Sequence, residues 1–410
     1  MIQLNHNGSV TSPKGFRACG VTAGLKKSGR PDMALICSDV PCVTAAAFTS
    51  NLFAAAPVVY DRDALAKCGQ SQAVIINSGN ANACTGEKGL KDARRMAEFT
   101  AAKLGIDPDR VLVSSTGIIG QPMPWDIISH GIELAADALS YDGGLTAAEA
   151  IMTTDTVAKH VSATIKIGDK DVTLGGMTKG AGMIAPLMRL TRIKQATMLA
   201  YITTDACISP DVLESCLSRS LDESFNRIII DGDMSTNDTL IALANGQAGN
   251  PLIVAGTPES EEFRRAFRDV LAQLAREMVL DGEGVSKFVE VNISGAQDGT
   301  QARRIAEAIA RSPLCKTAWY GNDPNWGRIL DAAGYSGAKF APQEVSLDIN
   351  GTPFVRNGMG AGRPQAELEA AVKPREMKID LKVGEGIGAF TIWTCDLTHD
   401  YVKINADYHT

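Results

Sequence analysis

Apolar residues recur along this chain in two rhythms. Over 261–280 they fall at Phe263, Phe267, Val270, Leu271, Leu274 and Met278, the i, i+4, i+7, i+8, i+11, i+15 spacing of one helix face. That helix should stop at Asp281-Gly282 and leave Glu283 on a glycine-flanked turn, where function concentrates on a rigid scaffold. Helical spacing also covers 87–104, 125–139 and about 301–311, the last ahead of a loop Gly321–Arg328. Short apolar runs bounded by Gly, Pro and Asn predict strands at Met33–Cys37, Ala73–Asn77 and Val111–Val113, the last running into Ser114–Gly120. A hairpin is expected over His160–Leu174 with Gly168-Asp169 at its tip, and 377–383 and 389–394 alternate like antiparallel strands. The pattern therefore predicts a mixed α/β chain with mainly antiparallel cues and no long linker.

Composition narrows the classes. The 410 residues leave ample length for a real core and two or three domains, with 45% hydrophobic and 21% charged residues. A net charge of −7 without a polybasic run, and only 5% aromatic residues, argue against a nucleic-acid platform. The start lacks the basic and apolar regions of a secretory signal, and no apolar run approaches the ~18 residues that span a bilayer. Nine scattered cysteines without a Cys-x-x-Cys pair read as reduced thiols of a cytoplasmic protein. Five histidines in no ligand spacing offer no metal site, and no cofactor is expected.

Familiar chemical motifs fail on inspection. Asp231–Asp238 resembles a calcium loop, but Thr236 stands where glycine is needed and Ala242 where a bidentate Glu is needed. Lys179-Gly-Ala-Gly182 reverses the P-loop order, and no GxSxG elbow occurs. Cys84 reads as a small packed residue rather than a nucleophile. What survives is Lys179-Gly-Ala-Gly-Met-Ile-Ala-Pro186 followed by Ala196-Thr197-Met-Leu-Ala-Tyr-Ile-Thr-Thr-Asp-Ala206. A threonine hydroxyl beside its own peptide carbonyl can attack it and cut the chain. The new terminal threonine then carries a nucleophile and an α-amine of pKa about 7.7–8.0 that can take the hydroxyl proton.

Several segments in order make this chain resemble the ornithine acetyltransferases (glutamate N-acetyltransferases) of arginine biosynthesis over nearly its full length. They are Asn77–Gly86, Ser114–Gly120, Ala150–Thr156, Lys179–Pro186, Ala196–Ala206, Asp281–Gly284, Asn322–Arg328 and Cys395-Asp-Leu397 onward. The resemblance implies an αββα sandwich of the amino-terminal-nucleophile type with a smaller carboxy-terminal α/β domain. It implies self-cleavage between Ala196 and Thr197, giving an α chain (1–196) and a β chain (197–410) that assemble as two of each. Structural borders are expected as a main sandwich over about 1–210, a middle α/β part over about 211–280 and a last domain over about 281–410. Thr197 is expected to carry acetyl from N-acetyl-L-ornithine to L-glutamate, with acetyl-CoA as a further co-substrate in some members.

By the same resemblance Thr116 and Gly117 form the oxyanion hole, and Thr153, Thr154, Lys179, Thr197, Glu283, Asn405 and Thr410 contact substrate. A fixed cation such as Lys179 suits the α-carboxylate that both substrates share, and Asn405 tolerates tails of either charge. From the residues alone, Ser114–Gly117 reads as a capped strand end, Lys179 as a solvated lysine and Asn405 as a turn residue. One departure concerns the cut. Relatives pass from the methionine after this proline directly to Ala-Thr, whereas here Arg189–Gln195 intervene, adding Thr191 as a rival hydroxyl. The insert either relaxes the scissile bond and slows the cut or is extruded at the surface. Alternative readings are an amidohydrolase or aminopeptidase with the same nucleophile, and an unprocessed amino-acid-binding protein.

Overall fold

The computed structural model describes residues 2–186, 188–190 and 198–407. Ala196, Thr197, Thr191 and Thr410 lie outside the described residues. The chain divides into two compact units, one running to Asn226 and adding Asp233–Met278, the other made of Arg227–Gly232 and the chain from Val279.

In the first unit the strands are β1 (Leu4–Asn5), β2 (Phe16–Val21), β3 (Met33–Phe48), β4 (Gln70–Asn80), β5 (Val111–Ile118), β6 (Lys159–Ile167), β7 (Lys170–Lys179), β8 (Arg189–Leu190) and β9 (Leu199–Thr204). After β10 (Ile228–Ile229), which belongs to the second unit, β11 (Thr239–Ala244) completes the first. Its helices are α1 (Ala56–Cys68), α2 (Gly86–Leu104), α3 (Trp125–Asp137), α4 (Gly144–Ala150), α5 (Pro210–Asp222) and most of α6 (Pro258–Leu280). The described strands hydrogen-bond in the order β1-β6-β7-β9-β11-β3-β4-β5, with β2 and β8 also on β3.

β3 folds this sheet into two layers. Its first half, Met33–Cys37, pairs with β2 and β4, while Val43–Phe48 pairs with β11, and the β4 register shifts between Cys37 and Cys42. A bulge there bends the strand and increases its twist. Between the layers lies one core: Ile36, Val74, Ile76 and Leu112 from one half meet Met177, Leu199, Tyr201, Ile241 and Leu243 from the other. Alternate residues of the same strands, Leu35, Ala73, Ile75, Val111 and Val113, face outward against Met96 and Ala97 of α2 and Ile128 and Ile132 of α3. This period of two is what a strand buried on both faces requires. On the far side α6 lies on Gly176, where an added Cβ would come 2.8 Å from Leu274 and 3.3 Å from Val270. The six apolar residues of its stripe are fully buried, each contributing about 1.5–3 kcal/mol. The layers run helix, sheet, sheet, helix, the expected sandwich.

The hairpin forms as the sequence predicts, with Gly168 at φ 63 in its two-residue tip. The stretch 211–280, expected as a separate middle part, is divided between the two units: β11 lies between β9 and β3 and α6 to Met278 belongs to the first unit, while Arg227–Gly232 belongs to the second. At the sheet edge α1 supplies Asp61, whose Oδ1 accepts the Val113 N–H of β5 at 2.8 Å.

The second unit holds a seven-stranded sheet in the order β10-β17-β12-β16-β13-β14-β15, with β12 (Phe288–Ala296), β13 (Ser346–Ile349), β14 (Thr352–Arg356), β15 (Met359–Gly360), β16 (Glu376–Lys382) and β17 (Gly388–Cys395). The two alternating segments near the end, β16 and β17, do not pair with each other. β12 lies between them, parallel to β16 and antiparallel to β17. Helices α7 (Gly299–Arg311), α8 (Pro313–Tyr320), α9 (Trp326–Gly334), α10 (Gln365–Val372) and α11 (His399–Asp407) accompany the sheet. α9 takes up the end of the loop expected over Gly321–Arg328. No helix among the described residues is long and apolar enough to cross a membrane.

Candidate active site

The Asn77–Gly86 segment turns the end of β4 back across β5. Gly79, Asn82, Cys84 and Gly86 take positive φ values of 115, 47, 56 and 61, a run that Gly and Asn accept most readily. Cys84 is exposed, not packed as its small size had implied. Asparagine side chains supplement the ladder there: Asn77 donates through Nδ2 to the Asn80 carbonyl at 2.8 Å, and its Oδ1 accepts Ser115 Oγ–H at 2.6 Å. β5 stays paired with β4 through Ile118, so Thr116 and Gly117 lie within a strand rather than in the loop after it. Gly117 has φ 129 and faces Gly79, with room for no side chain: an added Cβ would stand 2.4 Å from the Gly79 carbonyl carbon.

Lys179 ends β7 and is buried, not solvated. Its Nζ donates to Thr153 Oγ1 at 2.8 Å and to Thr116 Oγ1 at 3.3 Å. One ammonium thereby joins an expected oxyanion residue to an expected substrate threonine from three separate chain segments. Thr154 is half-buried in the same turn as Thr153.

Asp155 organises this turn, and sequence reasoning missed it. Its Oδ1 accepts from Lys159 Nζ and from the Gly180 N–H, both at 2.7 Å, and its Oδ2 accepts the Thr153 N–H at 3.0 Å. Burial pushes the carboxyl pKa up, yet the Lys159 and Lys179 charges with these hydrogen bonds outweigh it and hold Asp155 well below the usual carboxylate range. A further ammonium, Lys26, donates to the carbonyls of Pro31 and Ala150 at 2.7 and 3.3 Å. Burial pushes its pKa down to about 8; Asp32 opposes this, while Lys179 and Arg30 add to it.

The chain flanking the expected cut is held on both sides. Asn226 grips both backbone groups of Met188, Oδ1 accepting its N–H at 2.6 Å and Nδ2 donating to its carbonyl at 2.9 Å. Arg189 and Leu190, the first inserted residues, pair with Phe48 and Ala47 as β8, so the insert begins docked on β3 rather than extruded. Downstream, the Thr239 N–H donates to the Met198 carbonyl at 2.7 Å, and Leu199 enters the ladder with β11.

Within the second unit, Glu283 is buried in the turn after α6 and accepts Asn405 Nδ2 at 2.7 Å. Asn405 belongs to α11 rather than to a turn, and it also donates to the Tyr401 carbonyl one helical turn back at 3.0 Å. Gly284 takes φ 66, and its carbonyl accepts Thr398 Oγ1–H at 2.8 Å, which ties this turn to the start of α11.

A sequence profile of the ArgJ family matches residues 17–410. The arginine biosynthesis bifunctional protein ArgJ of Symbiobacterium thermophilum is 47% identical over 98% of this chain and 99% of its own. That of Thermosynechococcus vestitus is 44% identical over 98% of both. Among solved structures, a chain of the ornithine acetyltransferase of Mycobacterium tuberculosis complexed with ornithine is 43% identical, with a TM-score of 0.44 over 46% of this chain and 100% of that one. Matched by the profile from residue 17 onward and by relatives over 98% of its length, the chain belongs to the ArgJ family, the acyltransferases of arginine biosynthesis.

Proposed function

We propose that the chain cuts itself between Ala196 and Thr197 and then carries acetyl from N-acetyl-L-ornithine to L-glutamate on the Thr197 hydroxyl. The α-amine of Thr197 takes the hydroxyl proton as Oγ1 attacks the acetyl carbonyl. The tetrahedral oxyanion accepts hydrogen bonds from the Thr116 hydroxyl and the Gly117 N–H. Collapse expels ornithine, which takes the proton, and leaves an acetyl-threonine ester that the glutamate amine attacks in a second, mirrored step. Lys179 and the Thr153-Thr154 turn hold the α-carboxylate common to both amino acids. That the relatives are named bifunctional supports acetyl-CoA as a second acetyl donor to glutamate. The active form in this reading is two α plus two β chains in the cytoplasm.

The observation that carries the reading is the pair of bonds from Lys179 Nζ to Thr116 and Thr153. Lysine donates only, so Thr116 Oγ1 accepts from it and keeps its own proton for a developing oxyanion. The test is mass spectrometry of purified protein with acetylornithine present and glutamate absent. Two fragments beginning at Met1 and Thr197, the second heavier by one acetyl group, are expected. A single intact chain that still exchanges acetyl overturns it, and steady release of acetate without glutamate makes the chain a hydrolase instead.

A further inference from the structure

Asp238 lies outside every role assigned above, and its surroundings pose a problem that the described residues do not solve. The side chain is fully buried, and neither carboxyl oxygen has a hydrogen-bond partner among the described residues. Burying a carboxyl without partners costs several kcal/mol of solvation in general. Its backbone is fixed closely all the same. The Asp238 carbonyl accepts the Thr49 N–H at 2.8 Å, and the preceding Asn237 donates through Nδ2 to the carbonyls of Ser115 and Ala81 at 2.8 and 2.6 Å. The following Thr239 donates to Met198 at 2.7 Å. Asp238 is thus held between the strand that carries Thr116 and Gly117 and the residue next in sequence to Thr197. Burial pushes its pKa well above the carboxylate range, opposed by the charge of Lys179 on β7.

An orphaned acid beside the start of a future chain has a natural partner. Peptide cleavage adds water to the Ala196–Thr197 bond: the acyl carbon gains an oxygen and becomes a carboxylate, and the nitrogen gains two protons and becomes an ammonium. We propose that Asp238 is the counter-ion of the α-ammonium that cleavage liberates on Thr197, and thereby a positioning residue for the base of the reaction. On cleavage Asp238 gives its proton to water and pairs with the cation. In each acyl step it then stabilises the ammonium formed when the amine takes the Thr197 hydroxyl proton.

This rests on Thr197 being the processed nucleophile, and the test separates the two claims. Fragment masses first establish the cut in the wild-type protein; their absence fails the reading of Thr197 and not this one. In the cleaved protein Asp238→Asn removes a negative charge from beside the amine, so the amine gives up its proton more readily. The acidic limb of kcat/KM is expected to move down by about one pH unit, and the pH dependence of labelling the Thr197 amine with isotopic formaldehyde should move with it. An unmoved limb and labelling profile overturn the proposal. A cycle with the uncleavable Thr197→Val chain guards against a folding artefact. There no ammonium exists, so Asp238→Asn should leave the Tm unchanged or raise it, whereas it lowers the Tm of the cleaved protein. An equal loss in both backgrounds, including failure of both Asn chains to fold, overturns it as well.

Discussion

Lys179 Nζ stands 3.3 Å from Thr116 Oγ1, the end of one strand donating to the end of another across the inner core. Because the ammonium has no lone pair, Thr116 Oγ1 is the acceptor of that bond and its own proton is left for another partner. Replacing Lys179 with Met frees Thr116 Oγ1 to turn its hydroxyl away. The expected result is a fall in kcat of about 10²–10³, the usual effect of one lost oxyanion donor. Asp155 keeps Lys159 as a partner, so the Tm should change far less, and thermal melts alongside steady-state kinetics check both halves.

Gly117 allows no substitute. An alanine there would place Cβ 2.4 Å from a backbone carbon of Gly79 and would hold φ at 129. Strain of that kind costs about 1–3 kcal/mol before any clash is counted. Gly117→Ala is expected to lower the Tm and to abolish transfer, since β4 and β5 must separate to admit it. A variant with native Tm and native rate would contradict this close approach.

Asp155 links stability to acid. Its folded pKa is depressed, so the folded state binds its proton less readily than the unfolded chain does. The stabilisation is therefore fully present above the unfolded value of about 3.9 and is lost as the pH falls toward the folded one. Asp155→Asn leaves Lys159 buried without its counter-charge and should cost about 3–5 kcal/mol at neutral pH. Denaturant midpoints between pH 3 and 7 should show a shallower acid limb for the variant than for the wild type.

Asn226 secures Met188 through both backbone groups, upstream of the proposed cut. Self-cleavage needs a hydroxyl held near attack distance of the carbonyl, and small losses of position are costly. Asn226→Ala should slow appearance of the Thr197 fragment at least tenfold, about 1.4 kcal/mol of barrier. A time course of fragment masses after denatured chain is refolded measures it, and an unchanged rate would mean that this anchor has no part in the cut.

The helical stripe from Phe263 to Met278 was legible because a period of 3.6 leaves a signature in any window, and all six residues are buried. The hairpin at Gly168-Asp169 was legible for the same kind of reason: its turn is local. The motifs around Thr116, Lys179 and Glu283 could be found by resemblance, and the structure draws Lys179, Thr116 and Thr153 together. Their burial could not be foreseen, and it reverses the plain reading of Lys179 as solvated. Lys159 and Asp155 stand four residues apart, a spacing that on sequence alone describes a surface ion pair; in the fold both side chains are sealed from water.

Sequence by itself determined the local elements, the order of the motifs and the family, because each depends on residues near one another along the chain. Tertiary structure alone decided that β12 separates β16 from β17, that β11 and α6 as far as Met278 join the first unit, and that the Asp238 carboxyl, beside Met198, finds no partner among the described residues. Those facts depend on which distant segments exclude water from one another. A carboxylate in solution and one sealed inside a fold are the same letter in the chain, and only the packing around it sets whether it is charged and what it must bind.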